Sequence, residues 1–248
     1  MMFTVDTEPD WGMAGHRGIK EVLPRLLEWC DRRGIVATFF VTAGLVEECR
    51  KELFEIGPQH EIASHGLTHR RLDRLSPDEL RKELRQSKSL LEGLGRKVQG
   101  VRAPFFATPP NWIEEAQAAG YAYDASAGCA FPSLKNRRLQ RGCDLSGPMP
   151  QLGVSTFLDG MTPCCLTYLR LYHPLGIRMI PRAPRMFYLH LHEFLPRETA
   201  ADLSPWVRLL LTRNCGDRAW RILDRAFNRL SNEWITCSDF VQGMRTYV

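Results

Sequence analysis

Strand-like and helix-like segments take turns along this chain, and that alternation is the strongest constraint on its fold. A short β-rich start at Phe3 and Val5 gives way to "HRGIKEVLPRLLEWCDRRGI". There Ile19, Val22, Leu23, Leu26 and Leu27 recur at helical spacing, and Gly34 is placed to end the helix. "VATFFVTAG" reads as a second strand, and "LVEECRKELFEIG" as a second helix stopped by Gly57. "HEIASHG" is a short third strand. "SPDELRKELRQSKSLLEGLG" opens as a helix should, with Ser76 as N-cap, Pro77 at the first helical position and Glu79 at the third. "VQGVRAPF" is a strand, "NWIEEAQAAG" a helix with Asn111 as N-cap, and "YAYDASAG" a strand with a polar end. Such alternation predicts a parallel sheet with helices outside it, open or closed into a barrel.

Periodicity fades over residues 131–185, which are rich in Pro, Arg and Gly; long connections with short strands such as "LGVSTFL" are expected there. Order returns with the strand "RMFYLHLHEF", then a long helix around 206–230, a closing strand "EWITCS" and a terminal helix from Ser238. With neither repeat nor linker, one domain over residues 1–248 is the economical reading, and barrels of alternating strands and helices often take this length.

Composition excludes several classes. The chain is 44% hydrophobic and 25% charged, an ordinary globular balance without low-complexity tracts. No apolar run approaches the roughly 20 residues needed to span a bilayer. The N-terminus enters a strand almost at once, so a signal peptide is not expected and the cytoplasm is the expected location. Eight cysteines without a CxxC pair fit reduced, mostly buried thiols rather than a metal-thiolate site or a disulfide framework. The net charge of +5 concentrates in "KNRRLQR" at 135–141 and in Arg213, Arg218, Arg221 and Arg225. These are either solvated faces or contacts for anionic lipid, which would set the protein at the inner face of a membrane. Basic residues without interleaved aromatics or a recognition motif give no support to nucleic-acid binding.

In parallel α/β architectures the working site lies at the carboxyl ends of the strands, and here those ends are polar. The first delivers Asp6 and Glu8, the third His65 and His69, the fourth Arg102, the fifth Asp124 and Ser126, and the late strand His190, His192 and Glu193. Carboxylates pointing inward require a donor, a cation or a metal ion. Two histidines four apart, with Glu8 on a neighbouring strand end, suit a site of three protein ligands and one open position, the catalytic form of zinc coordination. Asp6, on the same strand face as Glu8, is then placed to take a proton from a metal-bound water. Arg102 would orient Asp6 or simply form an interior salt bridge with it, and Asp124 would pair with Arg102 or His190, or else serve as an N-cap or Asx-turn. Trp11 is a candidate for stacking on a sugar ring, or equally a packing residue.

In order and spacing, "TVDTE", "SHGLTH", "RAPFF", "YDAS" and "FYLHLHEF" resemble the five signature motifs of the NodB-type polysaccharide deacetylases, carbohydrate esterase family 4. The likeness spans nearly the whole chain and extends to subgroups acting on cell-envelope and exopolysaccharide sugars, including a deformylase of lipid-linked aminoarabinose. It implies a deformed (β/α) barrel of about seven strands with a divalent metal at the strand ends: zinc first, with cobalt, nickel or manganese as alternatives. It implies hydrolysis of an N-acetyl or N-formyl group on an amino sugar of a polysaccharide or lipid-linked glycan. By motif, Asp6 corresponds to the base, His65 and His69 to metal ligands, and Arg102 to the residue orienting the base. Asp124 corresponds to the partner of the late histidine, and that histidine to the acid. A backbone N–H near Phe105 would help receive the oxyanion, and the Phe105 ring would meet substrate.

Three positions depart from the common pattern. Thr7 stands where many relatives have a second aspartate, with the acid falling at Glu8 instead. The last motif offers both His190 and His192; Glu193, three residues on, favours His190. Phe105 and Phe106 replace a frequent tyrosine. The alternatives are an amidase or deformylase acting on another C–N bond, and a catalytically silent saccharide-binding fold.

Overall fold

A computed structural model describes residues 1–12, 15–127, 143–158, 162–181, 185–230 and 233–245. The basic run at 135–141 and Cys129 lie outside them. Strands β1 (Met2–Thr7), β2 (Ala37–Val41), β3 (Glu61–Ser64), β4 (Gly100–Val101) and β5 (Tyr123–Ala127) alternate with helices α1 (Leu23–Arg32), α2 (Val46–Phe54), α3 (Pro77–Glu92) and α4 (Trp112–Ala118). Then come β6 (Gln151–Gly153), α5 (Leu166–Tyr172), α6 (Gly176–Met179), β7 (Met186–His190), α7 (Pro205–Leu211), α8 (Asp217–Phe227) and α9 (Cys237–Arg245).

The seven strands are all parallel, in the order β6-β5-β4-β3-β2-β1-β7. Between β6 and β7 the ring is closed by loop backbone: Ser155 N–H donates to the Met186 carbonyl (3.2 Å) and Tyr188 N–H to that of Cys164 (3.3 Å). The expected deformed (β/α) barrel is what forms.

Strand alternation sorts side chains into two cores. Met2, Phe40, Ala63, Tyr123, Ala125, Met186 and Tyr188 fill the lumen, while Phe3, Val5, Phe39 and Val41 pack outward against Leu23 and Leu26 of α1. The amino end of the lumen is plugged by α9. Its Ser238 N–H donates to Glu61 (3.0 Å) and Cys237 N–H to Thr38 (2.9 Å), so a buried carboxylate and a hydroxyl satisfy its first turn. The lumen is thereby sealed at one end and polar at the other.

Helix α3 carries the expected capping box at Ser76 and Glu79. Three expectations are corrected. Asn111 does not cap α4 with its side chain; its amide donates to Glu115 (3.3 Å) instead. Residues 233–236 run beside the start of β1, with Ile235 N–H bonded to the Met1 carbonyl (3.1 Å), but form no strand. The long helix around 206–230 is two helices, because Asn214 (φ 55°) and Gly216 (φ 64°) turn left-handed between α7 and α8.

Candidate metal and catalytic site

At the carboxyl end of the barrel lies a cavity of about 220 Å³ walled by Asp6, Glu8, Trp11, His65, His69, Phe105, Arg170, His190 and His192. Parallel registration places Asp6 of β1 level with His190 of β7 and Phe40 of β2. Its carboxylate points into the lumen onto Arg102, whose Nη1 donates to Asp6 Oδ1 at 2.5 Å. Arg102 is itself fully buried, held by Thr4 Oγ1 (3.1 and 3.2 Å) and the Ala125 carbonyl (3.1 Å), with its guanidinium 4.0 Å from the Phe40 ring centre. A cation so fixed keeps Asp6 in one orientation.

Glu8, His65 and His69 present donor atoms that all lie within 4.8 Å of one another, and all three residues are buried. Glu8 Oε2 is 2.6 Å from His69 Nε2 and 3.4 Å from His65 Nε2. His65 Nδ1 lies 2.9 Å from the Arg102 carbonyl, an acceptor, so that nitrogen must carry the ring proton. In a neutral ring Nε2 is then a bare lone pair facing a carboxylate. Two acceptors face each other only where a proton or a cation stands between them, and a carbonyl-anchored histidine is the usual metal ligand. Burial opposes ionisation of Glu8, but the charge of His190 and the adjacent His65 and His69 rings hold its carboxyl well below the usual range. The residues fit a divalent ion.

His190 and His192 stack at 5.0 Å yet differ in character. His190 is partly open to the cavity; its Nδ1 meets Glu193 Oε1 at 3.0 Å and its Nε2 stands 3.9 Å from Asp6 Oδ2. Burial works against a charged His190 ring, but Glu8, Glu193 and Asp6 outweigh it and raise the pKa to about 9. Burial and the adjacent His190 charge push His192 down to about 3, and its ring packs on Trp11 at 4.7 Å. Of the two, only His190 is set up to carry a proton.

Asp124 takes the Asx-turn alternative. Its Oδ1 accepts from Ser126 N–H (2.9 Å) and Ser126 hydroxyl (2.5 Å), and its carboxyl is raised chiefly by burial. The partner of His190 is Glu193 instead. Trp11 is 7% exposed and its indole N–H is taken by Thr199 (2.9 Å), so it forms cavity wall rather than an open stacking platform. Phe105, 55% exposed and 4.9 Å from the His69 ring, is the open aromatic. Phe106 and Ala107 N–H groups are bonded to Ala103 and Pro104 carbonyls, which leaves Phe105's own N–H as the oxyanion candidate in that turn.

Three supporting residues escaped the sequence reading. Asp10, two residues after Glu8, accepts from Arg17 and Gly18 N–H (both 2.8 Å) and so shapes the loop after β1. Glu83 on α3 accepts from Leu67 N–H (3.0 Å) and Thr68 N–H (2.7 Å), fixing the turn between His65 and His69. A glutamate on the apolar stripe Leu80, Leu84, Leu91 was its signal. Arg170 Nε meets Glu193 Oε2 at 2.8 Å, both fully buried, but it lies in the stretch where periodicity fades and had no signal.

The polysaccharide deacetylase model matches residues 1–123, the half that holds β1 to the start of β5 and with them Asp6, Glu8, His65, His69 and Arg102. Over those residues the chain is similar to the polysaccharide deacetylases, as its motifs led us to expect. Solved structures agree in fold across almost the whole chain at low identity. A peptidoglycan N-acetylglucosamine deacetylase in complex with 4-naphthalen-1-yl-N-oxidanyl-benzamide has a TM-score of 0.56 at 15% identity, covering 96% of this chain and 86% of its own. The allantoinase PuuE gives 0.57 at 14%, covering 99% and 89%. A family 4 pseudoenzyme from Bacillus anthracis gives 0.51 at 15%, covering 94% and 66%. No curated protein matches the chain by sequence. Polysaccharide deacetylase folds thus include both enzymes and pseudoenzymes, and the side chains of the site must decide between them.

Proposed function

We propose that this protein is a metal-dependent hydrolase that removes an N-acetyl or N-formyl group from an amino sugar of a polysaccharide or lipid-linked glycan. The observation that carries the reading is the convergence of a Glu–His–His donor set with an arginine-held Asp6 on one side and a carboxylate-held His190 on the other.

A divalent ion held by Glu8, His65 and His69, with zinc the first choice for this donor set, would polarise the acyl carbonyl and acidify water. Asp6 takes the proton of the attacking water, its free Oδ2 facing the cavity while Oδ1 stays on Arg102. The Phe105 N–H receives negative charge developing on the acyl oxygen. His190, charged and anchored through Nδ1, gives its Nε2 proton to the departing amine, which cannot leave as an anion. The exposed Phe105 ring offers a face to the sugar.

A second reading, hydrolysis of a non-sugar C–N bond, draws support from the likeness to an allantoinase. One experiment separates the two: metal content with acetate and formate release from a panel of N-acyl amino sugars and simple amides, wild type beside Asp6→Asn. Stoichiometric metal in both proteins and acid from sugars in the wild type alone is expected. Release from amides only would move the chemistry to the second reading, and absence of metal would remove the basis of both.

A further inference from the structure

A second cavity, of about 180 Å³, lies between α8 and the turn that follows α5. It is lined by Arg218, Arg221 and Arg225 of α8, with His173 and Asn214 opposite and Ile222 as its apolar floor. It is smaller than the cavities of roughly 300 Å³ and more that enclose drug-sized ligands, and so suits one compact group.

The three arginines recur at helical spacing, so they share one face of α8. Like charges spaced three and four apart repel, and that repulsion is ordinarily relieved by interspersed acids. Helix α8 does have acids, but they are used elsewhere. Asp217 pairs with Arg25 (3.7 Å), and Asp224 takes Arg33 (2.8 Å) and the Trp29 indole N–H (2.7 Å). Among the described residues no carboxylate lies within 4 Å of Arg218, Arg221 or Arg225; the nearest polar restraint is Asn214 Oδ1, 3.4 Å from Arg218. Asn214, left-handed at φ 55°, is fixed from the other side by its amide bond to the Arg170 carbonyl (2.7 Å). The result is a walled cluster of forked donors with no internal counter-charge.

We infer that this cavity binds the phosphate group of a phosphomonoester or phosphodiester. Planar guanidinium forks match phosphate oxygens two at a time, and three converging on one cavity match a tetrahedral anion better than a planar carboxylate. The His173 ring lines the cavity as a further polar group, while Asn214 Oδ1 steadies Arg218. The site is separate from the catalytic cavity. No residue lines both, though Arg170 in the wall of the catalytic cavity lies three residues before His173, roughly 4.5 Å along the helix. The inference stands apart from the deacylase reading, since it uses none of the same residues.

Phosphate from two sources, a soluble ester or a lipid headgroup, would satisfy the same donors. The test compares wild type with Arg221→Gln/Arg225→Gln and with a charge-matched control, Arg197→Gln/Arg229→Gln, whose sites lie outside the cavity. Inorganic phosphate binding is read by calorimetry and by thermal shift, and vesicle binding by sedimentation with phosphatidylglycerol against phosphatidylcholine alone. Saturable phosphate binding weakened at least tenfold by the cavity variant but not by the control supports a soluble ester. Phosphatidylglycerol binding lost in the cavity variant alone supports a headgroup. Without phosphate, the cavity variant should melt no lower than wild type, since it removes a repulsion. Binding of neither probe, or equal loss in both variants, would overturn the site.

Discussion

The buried triad Arg170, Glu193 and His190 yields the sharpest prediction. Glu193 is completely buried and its two oxygens serve different masters: Oε2 accepts from Arg170 Nε at 2.8 Å, Oε1 from His190 N–H and Nδ1, both at 3.0 Å. Glutamine is nearly the same shape but has one acceptor oxygen, so Glu193→Gln must fail one partner. If the amide nitrogen turns to Arg170, two donors face each other and a buried guanidinium loses its counter-charge. Breaking a buried ion pair in this way costs about 3–5 kcal/mol. For a domain of this size that corresponds to a melting temperature lower by roughly 6–20 °C. The measurement is urea denaturation of metal-free wild type, Glu193→Gln, Arg170→Met and the double variant. The double should be less damaged than the two singles summed by about 2 kcal/mol. Strict additivity, or a Glu193→Gln cost below about 1 kcal/mol, would refute the claim that this pair holds the site.

The pH dependence has a defined sign. Burial opposes a charged Glu193, but Arg170 and His190 overcome it and bring its carboxyl to about 2, against 4.5 ordinarily. A depressed folded value stabilises above the unfolded one, so this contribution fades as pH falls from 4.5 toward 2. His190, raised from 6.5 to about 9 in the metal-free protein, contributes fully below 6.5 and loses that contribution as pH rises through 9. The gap between wild type and Glu193→Gln is therefore widest between pH 4.5 and 6.5 and narrows on both sides. By ring NMR, His190 should titrate lower in Glu193→Gln than in wild type.

Two further outcomes are expected. Zinc at a thousandfold excess over its dissociation constant should add about 4 kcal/mol of stability, a rise in melting temperature of roughly 8–16 °C, and Glu8→Gln should abolish most of it; an unchanged melting curve for the wild type would deny the site. Phe105 holds φ 58° on an exposed turn, so Phe105→Gly should leave stability unchanged or raise it by about 1 kcal/mol while raising KM for the sugar; a destabilised protein with unaltered KM would make Phe105 a packing residue.

Much of this was legible in the sequence because strand-end chemistry is local. Asp6 and Glu8 share a face by the two-residue period of β1, and His65 and His69 are joined by one turn, so their meeting needed only the parallel sheet that the alternation implied. The partner of His190 was not legible in that way. Glu193 sits three residues on, within sight of the motif, but only the 3-10 turn after β7 brings its Oε1 back to the His190 ring. Asp124, a strand-end acid of the expected kind, is instead consumed by Ser126 two residues away. Short-range hydrogen bonds of this sort compete with longer ones and leave no trace in spacing. Arg170 came from an aperiodic stretch, and the break at Asn214 from a left-handed residue inside an otherwise helical pattern.

Backbone strain points to the same rim as the chemistry. Five non-glycine residues take left-handed conformations among the described residues, and four of them, Trp11, His69, Phe105 and Phe106, line the catalytic cavity. Each such residue costs of order 1–3 kcal/mol, and three are bulky aromatics, for which nothing in local sequence favours the conformation. The surrounding contacts account for their persistence. His69 is held to Glu8, Trp11 is tied to Thr199 and the Phe106 N–H to Ala103, while Phe105 rests on the His69 ring. A fold that needed this end only as a lid could relax all four. Their retention around an acid, a donor set and an anchored histidine is what a site built to hold reacting groups in fixed positions requires.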